Sequence, residues 1–397
     1  MGEKILNESK KNKDIEVLRA YSILMVLFEH SQGITRVANI DKINNFFNGW
    51  VGVDLFFCIS GFVIFKSLSA RVQYGMPRRE AIREGVAFWI RRFWRLAPAA
   101  WLWILLGLIF IAAFKPTEVG EPIDNVSDAL ASFFNFMNFH KYACNVERQI
   151  CGGLFSPYWS LSLETQFYLV LPFLMVLLPR RYLTYALLLL IAVQFPMRRP
   201  ANGTEIGWFV RTDAIAWGVL IGKLSLSPIR SLVEPAFLDN RIAKAIFTLV
   251  LMYMLGASQL FWREHFFVGL AGLVCAGLIF AASYDKGYIA RLFGANDALM
   301  WIGARSFSIY VAHAITFLGA RKICMALGLD EARPGPKVVY FLVAFSATFV
   351  AAALTYRYVE DPLRKIGRRK TASYLAATRA ADDGPVEVEA PSAKVPA

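Results

Sequence analysis

Two ionisable residues near the start of the chain, Arg19 and His30, have the types and the spacing of a pair that acts together. Eleven positions separate them along an apolar run, and eleven residues make almost three whole turns of an α-helix. Both side chains would therefore lie on one helix face, about 16 Å apart along the axis. A guanidinium binds an anion, and a neutral imidazole removes a proton from a hydroxyl. The spacing predicts an anion anchor and a buried base on one helix.

Each of these side chains also has a structural explanation. Arg19 would extend its charge to a membrane surface, and His30 would pack between helices with a hydrogen bond to a carbonyl group. An ionisable side chain at the centre of a bilayer costs roughly 2.5–3.5 kcal/mol on insertion scales, which favours a site when two such residues share one face. Glu29 would point about 100° away from His30 and need not be its partner.

A second basic pair, Arg92 and Arg95, lies three residues apart, just before Pro98, which would restart the helix. Two guanidiniums on one helix face suit a phosphate group, which arginine binds through two parallel hydrogen bonds. The interleaved Trp89, Phe93 and Trp94 are typical of a membrane interface. Ordinary anchoring of a cytoplasmic loop is the alternative explanation.

Five further ionisable residues fall within or beside apolar runs: Asp54, Glu164, Arg211, Asp213 and His313. Each would neutralise or orient another buried charge. Structural alternatives remain open, because Glu164 would also suit the first turn of a helix and Arg211 would also pair with Asp213.

The composition indicates which class of protein positions these side chains. Of 397 residues, 56% are hydrophobic and 18% are charged. That apolar fraction exceeds the needs of a soluble core, which argues against a disordered chain, a nucleic-acid module and a soluble enzyme. The net charge of +13 comes from short basic clusters between apolar runs, where such residues orient a membrane protein. We expect the lipid bilayer, and no nucleic acid, as a partner.

Ten apolar runs near spanning length predict an all-α fold, a polytopic integral membrane helix bundle with about ten transmembrane helices. The runs cover residues 17–34, 50–68, 98–114, 161–178, 182–195, 208–224, 243–260, 266–282, 299–318 and 338–356. No appended soluble domain is expected, so any chemistry must come from the bundle and its loops.

The loops predict the orientation of this bundle. Segment 66–95 has eight basic and two acidic residues, whereas segment 115–158 has three basic and five acidic residues. Because basic loops stay in the cytoplasm, the first segment would be cytoplasmic and the second external. An even number of spans then places both termini in the cytoplasm. Residues 1–370 would form the membrane domain. Residues 371–397, which are rich in Ala, Pro, Asp and Glu and have few large apolar residues, would form a disordered cytoplasmic tail.

The cysteines predict no metal site. Cys58, Cys275 and Cys324 lie in or beside apolar runs and are expected to be core residues. Cys144 and Cys151 lie in the external segment, where a disulfide and two free thiols are both compatible with the sequence. Neither is accompanied by a second pair with the spacing of zinc ligands.

Five motifs in order along the chain resemble those of the membrane-bound acyltransferase family 3. They are Arg19 with ten residues before His30, Gly52–Phe57 leading to Ser60–Phe62, Arg92–Arg95, Trp159–Glu164 with Gln166–Tyr168, and Tyr356–Glu360. Members of this family transfer acyl groups from acyl-CoA to extracytoplasmic glycans and other acceptors. The resemblance, which runs from about Asp14 to Arg364, implies that Arg19 and His30 are essential, that Arg92 and Arg95 serve the acyl-CoA side, and that Glu164 is important.

The residues and the resemblance together give a functional hypothesis. Cytoplasmic acetyl-CoA would bind its phosphates at Arg19, Arg92 and Arg95. His30 would be the general base for a hydroxyl of an extracytoplasmic glycan or glycolipid, with Glu164 and Asp54 as further catalytic carboxylates. Direct transfer is preferred to an acyl group carried by His30. Substrate-binding roles are assigned to Arg211, Asp213 and His313.

The cell inner membrane is the expected location of this multi-pass protein. A transporter or flippase of a glycan-linked or anionic substrate is the alternative, because buried charges also form substrate pathways and proton relays.

Overall fold

A computed structural model describes residues 11–383 of the chain, apart from residues 36–46, 74, 117–118, 148–152, 201–202, 204, 258–264, 292–295 and 330–333. Within the described residues the regular structure is helical and no β-strand occurs. The expected all-α fold is confirmed for this part of the chain.

The described helices are, in chain order, α1 (Lys13–Thr35), α2 (Gly52–Ser69), α3 (Arg78–Phe114), α4 (Pro122–Phe133), α5 (Met137–Val146), α6 (Tyr158–Leu177), α7 (Arg180–Gln194), α8 (Ile206–Phe209), α9 (Asp213–Leu224), α10 (Arg241–Ala257), α11 (Phe267–Ala282), α12 (Asn296–Ala304), α13 (Ser306–Ala326), α14 (Pro334–Thr355) and α15 (Asp361–Asp383). A π-helical turn, Tyr356–Glu360, joins the last two into one continuous rod.

Five helical segments among the described residues are long and apolar enough to cross a membrane. They are α2, α3, α6, α13 and the rod at residues 337–381. Helix α1 has 23 residues but carries Asp14, Glu16, Arg19 and Glu29. Helices α7, α9, α10 and α11 have 15, 12, 17 and 16 residues, fewer than the roughly 20 that span a bilayer at right angles. The protein is a helical membrane protein, while the count of ten spans and the side of each terminus stay predictions.

Helix α3 differs from the expected loop and restarted helix. It runs without interruption through Pro98 for 37 residues, about 56 Å, whereas the hydrocarbon core of a bilayer is only about 30 Å thick. Arg92 and Arg95 therefore belong to the same helix as the apolar segment that follows them. Because the pair and the apolar segment share one rigid helix, the position of the pair relative to that segment is fixed.

Two apolar runs that were expected to be single helices are divided. The first is interrupted at residues 210–212, where Gln194 Oε1 accepts hydrogen bonds from the backbone N–H groups of Thr212 and Asp213 at 2.9 and 3.1 Å. This side chain satisfies donors that a helix start leaves unpaired. The second is interrupted at Arg305, between α12 and α13.

The segment expected to be external contains two helices, α4 and α5, that fold back against the bundle. Asn138 of α5 donates to Gln166 Oε1 at 3.1 Å and to the carbonyl oxygen of Phe209 at 3.3 Å. Cys144 of α5 is disulfide-bonded, and its expected partner, Cys151, lies outside the described residues. Cys58, Cys275 and Cys324 are free and buried, as expected for core residues.

The expectation of a disordered tail from residue 371 is wrong as far as Asp383, because α15 continues to that residue. Helix α15 packs along α3, which supplies the apolar contact that its own composition lacks. At Gly367 a Cβ atom would lie 2.5 Å from Trp94 Cβ, so the glycine permits this close approach. Residues 384–397 of the expected tail lie outside the described part of the chain.

Helix α2 is held to α9 at backbone distance. A Cβ atom at Gly61 would lie 2.1 Å from the carbonyl oxygen of Ile215, and one at Gly218 would lie 2.0 Å from that of Cys58. Helix α1 meets α12 in the same way, because a Cβ atom at Gly303 would lie 2.0 Å from the carbonyl oxygen of Glu16. These contacts fix the positions of α1 and α2, which both contribute residues to the candidate site.

Candidate active site

Three arginines from two helices line one cavity, which we call the arginine cavity. Arg19 comes from α1, and Arg92 and Arg95 come from one face of α3. The cavity has a volume of about 80 Å³, and Glu164 of α6 also lines it. Other parts of its wall come from α2, α6 and α13 through Phe57, Ser60, Ser160, Tyr168, Ser306 and Tyr310.

The arginines of this cavity differ in their partners. Arg19 Nη1 donates to Glu16 Oε1 at 2.7 Å. The guanidinium of Arg92 lies over the ring of Tyr168, 5.4 Å from its centroid. Arg95 Nε is buried with no hydrogen-bond partner in the described part of the chain. Arg92 and Arg95 thus retain donors that suit an anionic ligand.

Glu164 faces these arginines from the second turn of α6, so its explanation as an acid of the first helical turn is wrong. Its Oε1 accepts hydrogen bonds from the hydroxyl groups of Ser60 and Tyr168. Its charge acts on Arg92 and Arg95. A carboxylate held in this way partly balances the positive charge of the cavity.

The two histidines of the predicted site are brought into contact. The ring centroids of His30 and His313 are 4.8 Å apart, with an interplanar angle of 64°. His30 Nδ1 lies 2.9 Å from the carbonyl oxygen of Val26, and His313 Nδ1 is bonded to that of Tyr310. Because a carbonyl oxygen only accepts, each Nδ1 carries the proton when its ring is neutral, and each Nε2 holds a lone pair. Either Nε2 is able to act as a base or a nucleophile.

These histidines are not part of the wall of the arginine cavity, and Tyr310 lies between them and it. The Tyr310 ring is 5.5 Å from that of His313, and its hydroxyl lies 2.6 Å from Ser160 Oγ and donates to the carbonyl oxygen of Pro157. His313 is fully buried, whereas His30 is an exposed residue, so the prediction of a buried base at His30 is wrong on burial. The order from the cavity outward is therefore Tyr310, His313, His30.

Lys141 of α5, outside the spanning helices, adds a positive charge that acts on His30. Burial lowers the pKa of the Lys141 ammonium to about 8. Its Nζ donates a hydrogen bond to Ser156 Oγ. The segment that was expected to be an external loop thus contributes a charged group beside the histidine pair.

Asp54, Arg211 and Asp213 form a second cluster, apart from the arginine cavity. Arg211 Nε lies 3.3 Å from Asp54 Oδ1, and Asp213 makes a two-bond ion pair with Arg199 at 2.9 Å. The expected pairing of Arg211 with Asp213 is therefore wrong as a direct contact. All four side chains are buried, and the Arg211 guanidinium lies over the rings of Trp50, Trp159 and Trp208.

Sequence reasoning missed four residues that the structure places at these sites: Lys141, Arg199, Tyr310 and Glu360. Glu360 is buried, accepts a hydrogen bond from Ser308 at 2.6 Å and acts electrostatically on Arg95. It lies in the last motif of the resemblance, which could have drawn attention to it. Arg199 follows an apolar run and is indistinguishable in sequence from a loop residue.

Among the described residues, no group of three His, Cys, Asp or Glu side chains is arranged to hold a metal ion. The fold and the site define a helical membrane protein in which a cavity lined by three arginines lies next to two imidazoles. Residues 12–357 match the family domain described as "Acyltransferase domain". The chain therefore belongs to this acyltransferase family.

Named relatives align with most of this chain. The chain is 30% identical over 342 residues to "Peptidoglycan O-acetyltransferase OatA" of Listeria monocytogenes. The alignment covers 80% of this chain and 52% of that protein. It is 26% identical over 377 residues to "Putative O-acetyltransferase SACOL0978" of Staphylococcus aureus, with 89% and 57% covered. To "Putative peptidoglycan O-acetyltransferase YrhL" of Bacillus subtilis it is 25% identical, and the alignment covers 89% of this chain and 55% of that protein.

The chain thus spans about half the length of these curated relatives. No solved structure matches it.

Proposed function

We propose that this protein transfers an acetyl group from cytoplasmic acetyl-CoA to a hydroxyl group of an extracytoplasmic glycan or glycolipid. The observation that carries the proposal is the arrangement of α1, which contributes Arg19 to the arginine cavity and His30 to an exposed position beyond it. Membership of the acyltransferase family and the printed names of the relatives support transfer of an O-acetyl group.

The arginine cavity is assigned to the donor. Arg92 and Arg95 offer guanidinium donors from one helix face, and Arg19 adds a third positive charge opposite them. The phosphate groups of acetyl-CoA are the anions that suit this arrangement. Ser60 and Tyr168 hold Glu164, whose charge limits the mutual repulsion of Arg92 and Arg95. We therefore assign Glu164 to the donor side and not to direct contact with His30.

His30 is assigned as the general base for the acceptor. Its Nδ1 is occupied by the Val26 carbonyl, so its Nε2 removes the hydroxyl proton. Lys141 adds positive potential at this end of the site, which favours the negative charge that develops on a carbonyl oxygen during acyl transfer. Asp54 and Arg211 lie in the separate buried cluster, where they support α2 and α9.

The basic loops favour a cytoplasmic position for the arginine cavity, and the exposed His30 would then face the outer side of the cell inner membrane. The donor and the acceptor then approach from opposite sides, and only the acetyl group crosses. A transporter would instead move an unmodified substrate through the bundle.

The test uses purified protein in lipid vesicles with labelled acetyl-CoA and a glycan acceptor. We expect label on the acceptor, and we expect His30→Ala to reduce the rate about 10²–10⁴-fold, the usual contribution of a general base. The matched control is His265→Ala, because His265 is exposed and takes no part in the site. Full activity of a folded His30→Ala protein would remove His30 from the mechanism. Uptake of unmodified glycan without labelled product would favour the transporter.

A further inference from the structure

His313 is the first imidazole that a group leaving the arginine cavity would meet. Ser306 and Tyr310 of α13 line the cavity, and His313 lies one helical turn beyond Tyr310 on the same face. His30 follows at a ring distance of 4.8 Å. A donor bound in the arginine cavity would therefore reach His313 before His30.

One ring nitrogen of His313 is unpartnered. His313 Nε2 is buried and has no hydrogen-bond partner among the described residues, while Nδ1 is bonded to the Tyr310 carbonyl. An unsatisfied polar atom in the interior of a protein costs about 1–3 kcal/mol, so a buried nitrogen of this kind calls for an explanation. Its fixed tautomer leaves a lone pair on the one nitrogen that no neighbour uses.

The burial of the two histidines also differs, and a covalent carrier of an acyl group should be the more buried of the two. His313 has no exposed surface, whereas His30 is exposed. An acyl-imidazole is hydrolysed when water reaches it, and a water-excluded site prevents that side reaction. The fully buried His313 is therefore the better carrier, and His30, a residue with exposed surface, the better base.

We propose that His313 carries the acyl group as an acyl-imidazole between the arginine cavity and the acceptor. The lone pair of His313 Nε2 forms a bond to the thioester carbonyl carbon, and the carbon–sulfur bond breaks with its electron pair leaving on the CoA sulfur, which takes a proton from water. His30 Nε2 then removes the acceptor hydroxyl proton as that oxygen attacks the same carbon. The carbon–nitrogen bond breaks, its electrons return to His313, and His30 releases the proton to water.

This inference rests on the proposed acetyl transfer and adds that His313 is the carrier. Two separate assays distinguish a failure of the carrier role from a failure of the proposed function. The first assay measures transfer of label from acetyl-CoA to the glycan. The second incubates wild-type protein in vesicles with labelled acetyl-CoA and no acceptor, quenches it, digests it and locates the acetyl group by mass spectrometry. The chain has four histidines in all, so His30, His140 and His265 serve as internal comparisons.

We expect the acetyl group on His313, removable by hydroxylamine at neutral pH, and its loss when the glycan is added. In His30→Ala protein we expect the acetyl group on His313 to persist after glycan addition, because only the second step has lost its base. Acetyl on His30 in the wild type would overturn the assignment, and so would transfer by a folded His313→Gln protein at the wild-type rate. Absence of transfer in the first assay would refute the proposed function itself.

The assays on wild-type and His30→Ala protein do not depend on the folding of a His313 variant. His313→Gln keeps a polar side chain in the same space but supplies no nucleophilic nitrogen, and we expect it to lose both the trapped acetyl group and transfer. Tyr310 lies between the donor and His313, so acetylation of the Tyr310 hydroxyl in place of His313 would also overturn the proposal.

Discussion

At the scale of single residues, hydrogen bonds to main-chain carbonyl groups decide which nitrogen of each histidine reacts. Val26 and Tyr310 hold the Nδ1 atoms of His30 and His313, and both Nε2 atoms are left with lone pairs. The sequence predicts that His30 lies on a face shared with Arg19, because helix periodicity alone determines this. The partner carbonyl and the contact with His313 depend on packing between α1 and α13.

Arg92 gives a residue-scale prediction about donor binding. We expect Arg92→Lys to raise the KM for acetyl-CoA about tenfold with little change in kcat, because one charge-assisted hydrogen bond contributes about 1.5–3 kcal/mol and lysine cannot bind two oxygens with a planar fork. Steady-state kinetics in vesicles measure this. Arg181→Lys is the matched control, since Arg181 is exposed and donates to Tyr182. An unchanged KM would place the phosphate groups elsewhere.

The buried ion pair of Arg199 and Asp213 gives a prediction about stability. We expect Asp213→Ala to lower the free energy of unfolding by about 3–5 kcal/mol, because it leaves the Arg199 charge buried without its partner. Thermal unfolding in detergent measures the change. The double variant Arg199→Met with Asp213→Leu should lose less, since no charge is then left uncompensated. Equal losses in the single and double variants would argue against this coupling.

At the scale of elements, continuous helices place side chains that loops would leave variable. Helix α3 carries Arg92 and Arg95 into the cavity on the same rod as its apolar segment, although the sequence favoured a restart at Pro98. Proline removes one helical hydrogen bond, but other elements hold α3 on both sides of Pro98. Trp94 packs against Gly367 of α15, and Trp103 Nε1 donates to Thr355 Oγ1 of α14. Local propensity alone therefore placed the start of this helix incorrectly.

The contact of α2 with α9 gives a prediction at this scale. We expect Gly218→Ala to lower stability by about 1–3 kcal/mol or more, because its Cβ atom would meet the carbonyl oxygen of Cys58 at 2.0 Å and the backbones would have to separate. Thermal unfolding and the yield of folded protein test it. Gly319→Ala is the matched control on a membrane helix, where the nearest atom, of Phe110, lies at 3.8 Å. A stable Gly218→Ala protein would show that α2 and α9 are free to move apart.

At the scale of the whole molecule, charge asymmetry between loops predicts which face meets the donor. The acidic segment contains α4 and α5, and the basic segments, which are expected to be cytoplasmic, include the first half of α3 and the start of α15. With this orientation the arginine cavity would lie nearer the cytoplasmic face than His30 does. Transfer across the membrane then needs no movement of the whole donor.

The orientation is open to a direct measurement. We expect Ser127→Cys on α4 to react with a membrane-impermeant maleimide in intact cells, and Ser373→Cys on α15 to react only after permeabilisation, because both residues are exposed but should lie on opposite sides. The free native cysteines in the described residues are buried and should contribute little background. Labelling of Ser373→Cys in intact cells would reverse the assignment.

The amino-acid sequence by itself determined the class of the protein and most of the candidate site. Apolar runs of spanning length and basic loops indicate a membrane bundle whatever its packing, because the transfer of a helix into lipid depends on its composition. Helix periodicity puts Arg19 and His30 on one face. Only the tertiary structure decided that Asp54 pairs with Arg211, that Asp213 pairs with Arg199, and that His313 meets His30. Such pairings join residues distant in the chain, and their geometry follows from which helix faces pack together, a property that no local pattern contains.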